Sequence, residues 1–237
     1  MGRIFEKRKD RMFARWAKNA KAFTKIGKEI AVAVKLAGPD PNNNPRLRIA
    51  IQTARSLNMP KDKVMAAIQR ARSSKESGNL NELTYEAYAP YGVALIIESA
   101  TDNPTRTVGN VRSILNYHGG SLASAGALDY IFQRRGVFSI IKPDLEIDQL
   151  ELELIDSGLE DMQVYDDEVI LQCKYESYNQ LQKALEAKKI EIKSAALQRI
   201  PFSTVNLTEQ QNEDVEKLIA ELEDDDDVQH VYHNIDQ

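Results

Sequence analysis

The apolar residues of this 237-residue chain change their period once, and the change falls at SSKESGN (73–79). Before it they recur every three or four residues, as on one face of a helix. After it several short runs alternate every second residue, as in strands. Such a chain starts as helix alone and continues as mixed helix and sheet.

Phe23, Ile26, Ile30 and Val34 form one stripe, predicting a first helix from about Ala17–Lys18 to about Leu36. Gly38, Pro39 and Pro41 stop it. Asn44 is a cap and Pro45 a first helical residue, so a second helix runs to about Leu57 with Leu47, Ile51, Ala54 and Leu57 inward. Pro60 opens a third, with Val64, Ile68 and Ala71 inward.

Beyond residue 80, TYEAYAPYGVALIIESAT reads as strands broken at Pro90-Tyr91-Gly92. TDNPTRTVGNVRSILNYHGG is a helix capped by Asp102 or Asn103, with Val108, Val111, Ile114 and Leu115 as its stripe. SLASAGALDYIF and RRGVFSIIK are strands, and LEIDQLELELIDSG is an acidic helix. DMQVYDDEVILQCKY is a hairpin turning at Asp166-Asp167. YNQLQKALEAKK is helix, IEIKSAALQRIPFSTVNL is strand-like, TEQQNEDVEKLIAELEDDDD is a helix capped by Thr208, and VQHVYHNI is a closing strand.

The fold class expected is α+β. A basic helical domain (1–78, with an N-terminal arm) precedes an α+β domain (79–133 plus 203–237), and a second α+β domain (134–202) is inserted in the latter.

Charge divides along the same line. Residues 1–75 hold 19 Lys/Arg and 5 Asp/Glu, a charge of +14, and residues 76–237 carry −19. A basic third of this kind suits a polyanion, because each neutralised phosphate releases counterions. The arm to about Arg15, expected to be mobile without a ligand, offers Arg3, Lys7, Arg8, Lys9, Arg11 and Arg15. The helix behind it offers Lys18, Lys21 and Lys25. An internal arrangement is the competing reading, in which the basic part docks on the acidic part.

Enzyme chemistry is not legible. There is no phosphate-binding loop, no dinucleotide fingerprint, no nucleophile elbow and no Ser–His–Asp set. His118, His230 and His233 lack the company of a metal site, so no metal or cofactor is expected. The run Glu221–Asp227 reads as a solvated helix end rather than a cation loop. Cys173, the single cysteine, reads as a space-filling strand residue, and it suits a reducing cytoplasm. No apolar run reaches the roughly 20 residues of a membrane span. The basic N-terminus has no apolar segment behind it, so the expected location is cytoplasmic, without a membrane partner.

Several stretches together resemble the YebC family, also called YebC/PmpR: KAFTKIGKEI, DPNNNPRLRIAIQTAR, NMPKDKVMAAIQRA, YEAYAPYGVALIIESATDNPTRTVGNVRSILNYHGGSLA and LEDDDDVQHVYHNI. The resemblance covers essentially the whole chain. It implies a helical N-terminal domain and two ferredoxin-like α+β domains, with no cofactor. It implies either a DNA-binding transcriptional regulator or a ribosome-associated translation factor on ribosomal RNA. Carried over by position, the nucleic-acid side includes Lys25, Arg46, Arg48, Lys61 and Lys63, with Arg106 in TDNPTRT as a further candidate. Most members open Gly-His-Ser-Lys-Trp. Here Arg3 follows Gly2, and the tryptophan is displaced to Trp16.

The expected function is therefore non-enzymatic regulation of gene expression through nucleic acid, DNA first and ribosomal RNA as the alternative. The acidic domains are left for protein partners. Helices two and three lack the Asn/Gln/Arg cluster of a base-reading helix.

Overall fold

A computed structural model describes residues 2–73, 80–142, 146–165 and 167–236; the side chains of residues 2–19 and of Ser56 lie outside that description. The chain divides into two compact units, residues 1–125 with 207–231 and residues 126–206 with 232–237.

The first unit begins with three helices: α1 (Gly2–Ala37), α2 (Pro45–Ser56) and α3 (Lys61–Arg72). Helix α1 starts at Gly2 rather than near Ala17, so the segment expected as an arm is the N-terminal half of one continuous helix. No proline lies between Gly2 and Ala37, the single interior glycine, Gly27, is carried within the helix, and the basic segment continues the turn.

Gly38 ends α1 in the left-handed region at φ 85°. Buried Asn44 then joins two helix ends. Its side-chain oxygen accepts from the Leu47 amide at 3.0 Å, capping α2, and its amide donates to the Ala33 and Gly38 carbonyls at 2.7 and 2.8 Å. Ile26, Ile30, Ala33 and Val34 pack on Leu47, Ala50, Ala54, Val64, Ala67, Ile68 and Ala71. The many alanines let the three helices approach closely around a small core.

Leu57, expected inward, is 43% exposed. Asn58 turns left-handed (φ 57°) and the Met59 amide reaches back to the Ala54 carbonyl at 2.8 Å. This closes α2 and brings Met59 rather than Leu57 against the core.

The rest of the unit is a four-stranded sheet with helices. Strands β1 (Asn81–Tyr88) and β2 (Ala94–Thr101) form a hairpin, α4 (Pro104–Tyr117) follows, and β3 shrinks to Ser121–Leu122. The strand expected over SLASAGALDYIF is mostly turn beyond Leu122, with Gly126 at φ 82°. Across a chain separation of about a hundred residues, α7 (Glu209–Asp224) and β8 (Val228–His233) complete the order β3-β1-β2-β8. Thr208 and Gln211 cap α7 reciprocally. On α4 the fully buried positions are Thr107, Val111 and Leu115, so a hydroxyl sits where Val108 was expected to lead the stripe.

The second unit reads β4 (Phe132–Ile141), α5 (Ile147–Ile155), β5 (Leu159–Val164), β6 (Glu168–Lys174), α6 (Tyr178–Ala187) and β7 (Ile192–Pro201). Its antiparallel order is β5-β6-β4-β7, the arrangement of a ferredoxin-like βαββαβ unit. The expected β5–β6 hairpin is present, with Val164 opposite Val169; Asp166 in its turn lies outside the described residues. Phe138, Ile140, Val169, Leu171 and Cys173 point with Leu150, Leu154, Leu181 and Leu185 into its core. Both units together make the fold α+β, as expected.

Candidate nucleic-acid interface

Lys21, Lys25 and Lys28 stand four and three residues apart on α1, so they share a face. That face meets the C-terminal end of α7. A helix end leaves carbonyls without partners, and cations satisfy them well. Lys25 donates to the Glu223 carbonyl at 2.6 Å, Lys28 to the Asp226 carbonyl at 2.8 Å and to Asp227 Oδ1 at 2.5 Å, and Lys21 pairs with Asp224. Burial lowers the Lys25 pKa, outweighing the pull of Glu223 and the aspartates beside it. The run Glu221–Asp227, expected as a solvated helix end, is thus in large part the counter-charge of α1.

Asp227 is the centre of this contact. Its side chain is 6% exposed. Its Oδ2 accepts from Thr107 at 2.8 Å, Arg106 at 2.8 Å and Thr101 at 3.1 Å. Burial works to raise its pKa; the hydrogen bonds from Lys28, Arg106 and Thr107 overcome it and hold the carboxyl down to about 2.

The stretch TDNPTRT thereby acquires a physical meaning. Thr101 ends β2, Asn103 caps α4 through the Arg106 amide at 3.1 Å, Pro104 takes the first helical position, and Arg106 and Thr107 turn toward Asp227. Arg106 also pairs with Asp102 at 2.9 Å.

The remaining candidates divide in two. Arg46 forks onto Glu29 (2.7 and 3.2 Å) and onto Glu82 (2.6 and 3.3 Å), which keeps its pKa above the ordinary arginine value although burial opposes this. It joins α1, α2 and β1. Arg48 is half-buried on α2.

Lys61 and Lys63 are exposed on α3, with the Lys63 ammonium 5.4 Å above the Phe23 ring. Arg55, Arg70 and Arg72 are exposed too. Around α3, Lys61 and Arg72 lie on one flank of the buried stripe and Lys63 and Arg70 on the other. Arg55, Lys61, Lys63 and Arg72 have no carboxylate partner among the described residues. Arg3, Lys7, Arg8, Lys9, Arg11, Arg15 and Lys18 follow one another along α1, and their side chains lie outside the described residues.

The structure therefore joins Lys21, Lys25 and Arg106 with the acids of 223–227, joins Arg46 with Glu29 and Glu82, and leaves Lys61 and Lys63 at the surface. The sequence reading missed Lys28, Thr101, Thr107 and Asp227 as one cluster. Its only signal was a threonine-rich cap and an aspartate run more than a hundred residues apart. No group of three or more His, Cys, Asp or Glu among the described residues is placed to hold a metal ion. No described helix is long and apolar enough to cross a membrane.

Comparisons with known proteins cover both units. Residues 3–74 match the pattern of the TACO1/YebC protein N-terminal domain, and residues 80–235 that of the TACO1/YebC second and third domain. A probable transcriptional regulatory protein of Porphyromonas gingivalis is 49% identical over 236 residues, covering 99% of this chain and 97% of that one. One from Anaeromyxobacter dehalogenans is 49% identical over 240 residues, covering 99% and 100%. A crystal structure of a conserved hypothetical protein from Aquifex aeolicus superposes with a TM-score of 0.77 at 36% identity, covering 92% of this chain and 90% of that one.

Proposed function

Since the chain belongs to the TACO1/YebC family, we propose that it is a non-enzymatic regulator of gene expression that binds nucleic acid, with DNA as its target in transcriptional control. The relatives' printed name, probable transcriptional regulatory protein, supports regulation at that general level. The observation that carries the nucleic-acid part is the exposed basic surface of α2 and α3: Arg55, Lys61, Lys63, Arg70 and Arg72.

Cations on helices with no carboxylate partner among the described residues suit phosphate contacts, which position a protein without reading sequence. The outward side of α3 carries Asp62, Met65, Ala66 and Gln69, a poor set for reading base edges. Specificity then comes from nucleic-acid shape or from partners. The same surface suits ribosomal RNA, where backbone and shape dominate recognition.

The test is titration of DNA and RNA over a range of salt. Lys61→Ala with Lys63→Ala should flatten the log–log salt slope by up to two contacts, about 0.7–0.9 each. Arg46→Ala should leave the slope unchanged and lower stability by at most about 1 kcal/mol, as its partners are partly exposed. An unchanged slope in the lysine variant removes Lys61 and Lys63 from the interface. Sedimentation with ribosomes that RNase abolishes would assign the surface to RNA; sequence-preferring promoter binding without it assigns it to DNA.

A further inference from the structure

The contact between α1 and the end of α7 is graded along its length. At its inner end Lys28 and Asp227 have side chains 20% and 6% exposed, and Arg106, Thr101 and Thr107 fasten the same carboxylate. At its outer end Lys21 and Asp224 are 44% and 67% exposed, within reach of screening ions. Lys25 lies between them on the Glu223 carbonyl, in a seat whose desolvation disfavours its charge.

Glu223, Asp224, Asp226 and Asp227 offer these lysines a short row of carbonyl and carboxylate oxygens. A phosphodiester backbone presents the same chemistry: regularly spaced anionic oxygens that accept from ammonium groups.

We propose that the acidic end of α7 is an internal competitor for the phosphate backbone: it occupies Lys21 and Lys25 in the unbound protein, and nucleic acid takes those two lysines over while the Lys28–Asp227 end stays closed. The inference rests on the nucleic-acid reading above and deepens it. Phosphate contacts on α1 are made by exchange, one anion for another. The net gain per lysine is therefore smaller than for Lys61 or Lys63, and weak or short polyanions do not open the contact. Opening the outer end exposes no apolar core, because Lys21 and Asp224 are already at the surface.

The test pairs Asp224→Asn/Asp226→Asn with Glu213→Gln/Glu216→Gln, which removes the same charge from the exposed, distant part of α7. Each full-length protein is titrated with a fluorescein-labelled mixed-sequence DNA duplex and with the matching RNA duplex over a range of salt. The aspartate variant should bind about 3–10-fold tighter, with a slope steeper by up to one contact, roughly 0.7–0.9, because Lys21 loses its carboxylate while Lys25 keeps the Glu223 carbonyl. The glutamate variant should gain less and keep the parental slope. Equal gains in the two variants with unchanged slopes, or weaker binding by the aspartate variant, would overturn the competition while leaving the nucleic-acid reading intact. No salt-dependent binding by the parent or either variant overturns both. A steepened slope confined to one of the two duplexes identifies whether DNA or RNA is the exchanging ligand.

Discussion

Replacing Asp227 by Ala removes the one carboxylate that Lys28, Thr101, Arg106 and Thr107 share. Its folded pKa of about 2 lies well below the ordinary 3.8. By linkage this corresponds to about 2–3 kcal/mol of stability at neutral pH. Deleting one partner of a buried pair costs about 3–5 kcal/mol. The lower end applies here. Arg106 keeps Asp102, Lys28 keeps the Asp226 carbonyl, and the two threonine hydroxyls, 2.8 Å apart, can satisfy each other.

About 3 kcal/mol in a unit of about 150 residues corresponds to a fall in Tm of about 6–12 °C at pH 7. The sign follows from the depressed pKa. The contribution is complete above the unfolded value near 4, and it is lost as the pH falls through about 2, so the parent and Asp227→Ala should converge over that window. Thermal unfolding followed by circular dichroism at pH 7 and at steps down to pH 2 measures this. A difference below ~3 °C at pH 7, or a full-sized one persisting at pH 2, would refute the reasoning.

Two further outcomes concern the second unit. A Cβ at Gly136 would lie 2.6 Å from Tyr178 Cδ2 and 2.7 Å from Cys173 Sγ, where the Phe138 and Tyr178 rings stack at 4.8 Å. Gly136→Ala should cost about 1–3 kcal/mol, read as a lower urea midpoint with an unchanged m-value. Burial pushes the fully enclosed Cys173 thiol up to about 11. The native protein should therefore resist a thiol reagent at pH 8 and react once unfolded; fast native labelling would contradict this placement.

What could be read from the chain was what its local chemistry decides. Asn44, Asn103 and Thr208 cap helices because a side-chain oxygen meets amides two or three residues ahead, and that spacing is visible in sequence. The three-helix core followed from periodicity. Leu57 was misplaced because the left-handed turn at Asn58 ends the helix one residue earlier than the apolar repeat does. Lys21, Lys25 and Arg106 looked like a ligand's cations, Lys28 was not singled out, and Glu221–Asp227 looked like solvated anions. Only the fold brings positions some 120 to 200 residues apart together, and no local rule encodes that meeting. Lys61 and Lys63 lie at the surface because no acidic element among the described residues covers α3.

The split of the first unit around the second has a consequence during synthesis. The sheet β5-β6-β4-β7 is complete once Pro201 has emerged, and all its contacts lie within about 70 residues. The earlier-made β1–β2 hairpin must wait for α7, Asp227 and β8, which are made after β7. Order of translation and order of folding are therefore reversed: the interior segment matures first, as a folded body. Until then the edge of β2 that β8 will cover and the lysine face of α1 are both unpaired, so truncation after residue 206 leaves the sheet β5-β6-β4-β7 complete, its unit short of residues 232–237, and the first unit unfinished.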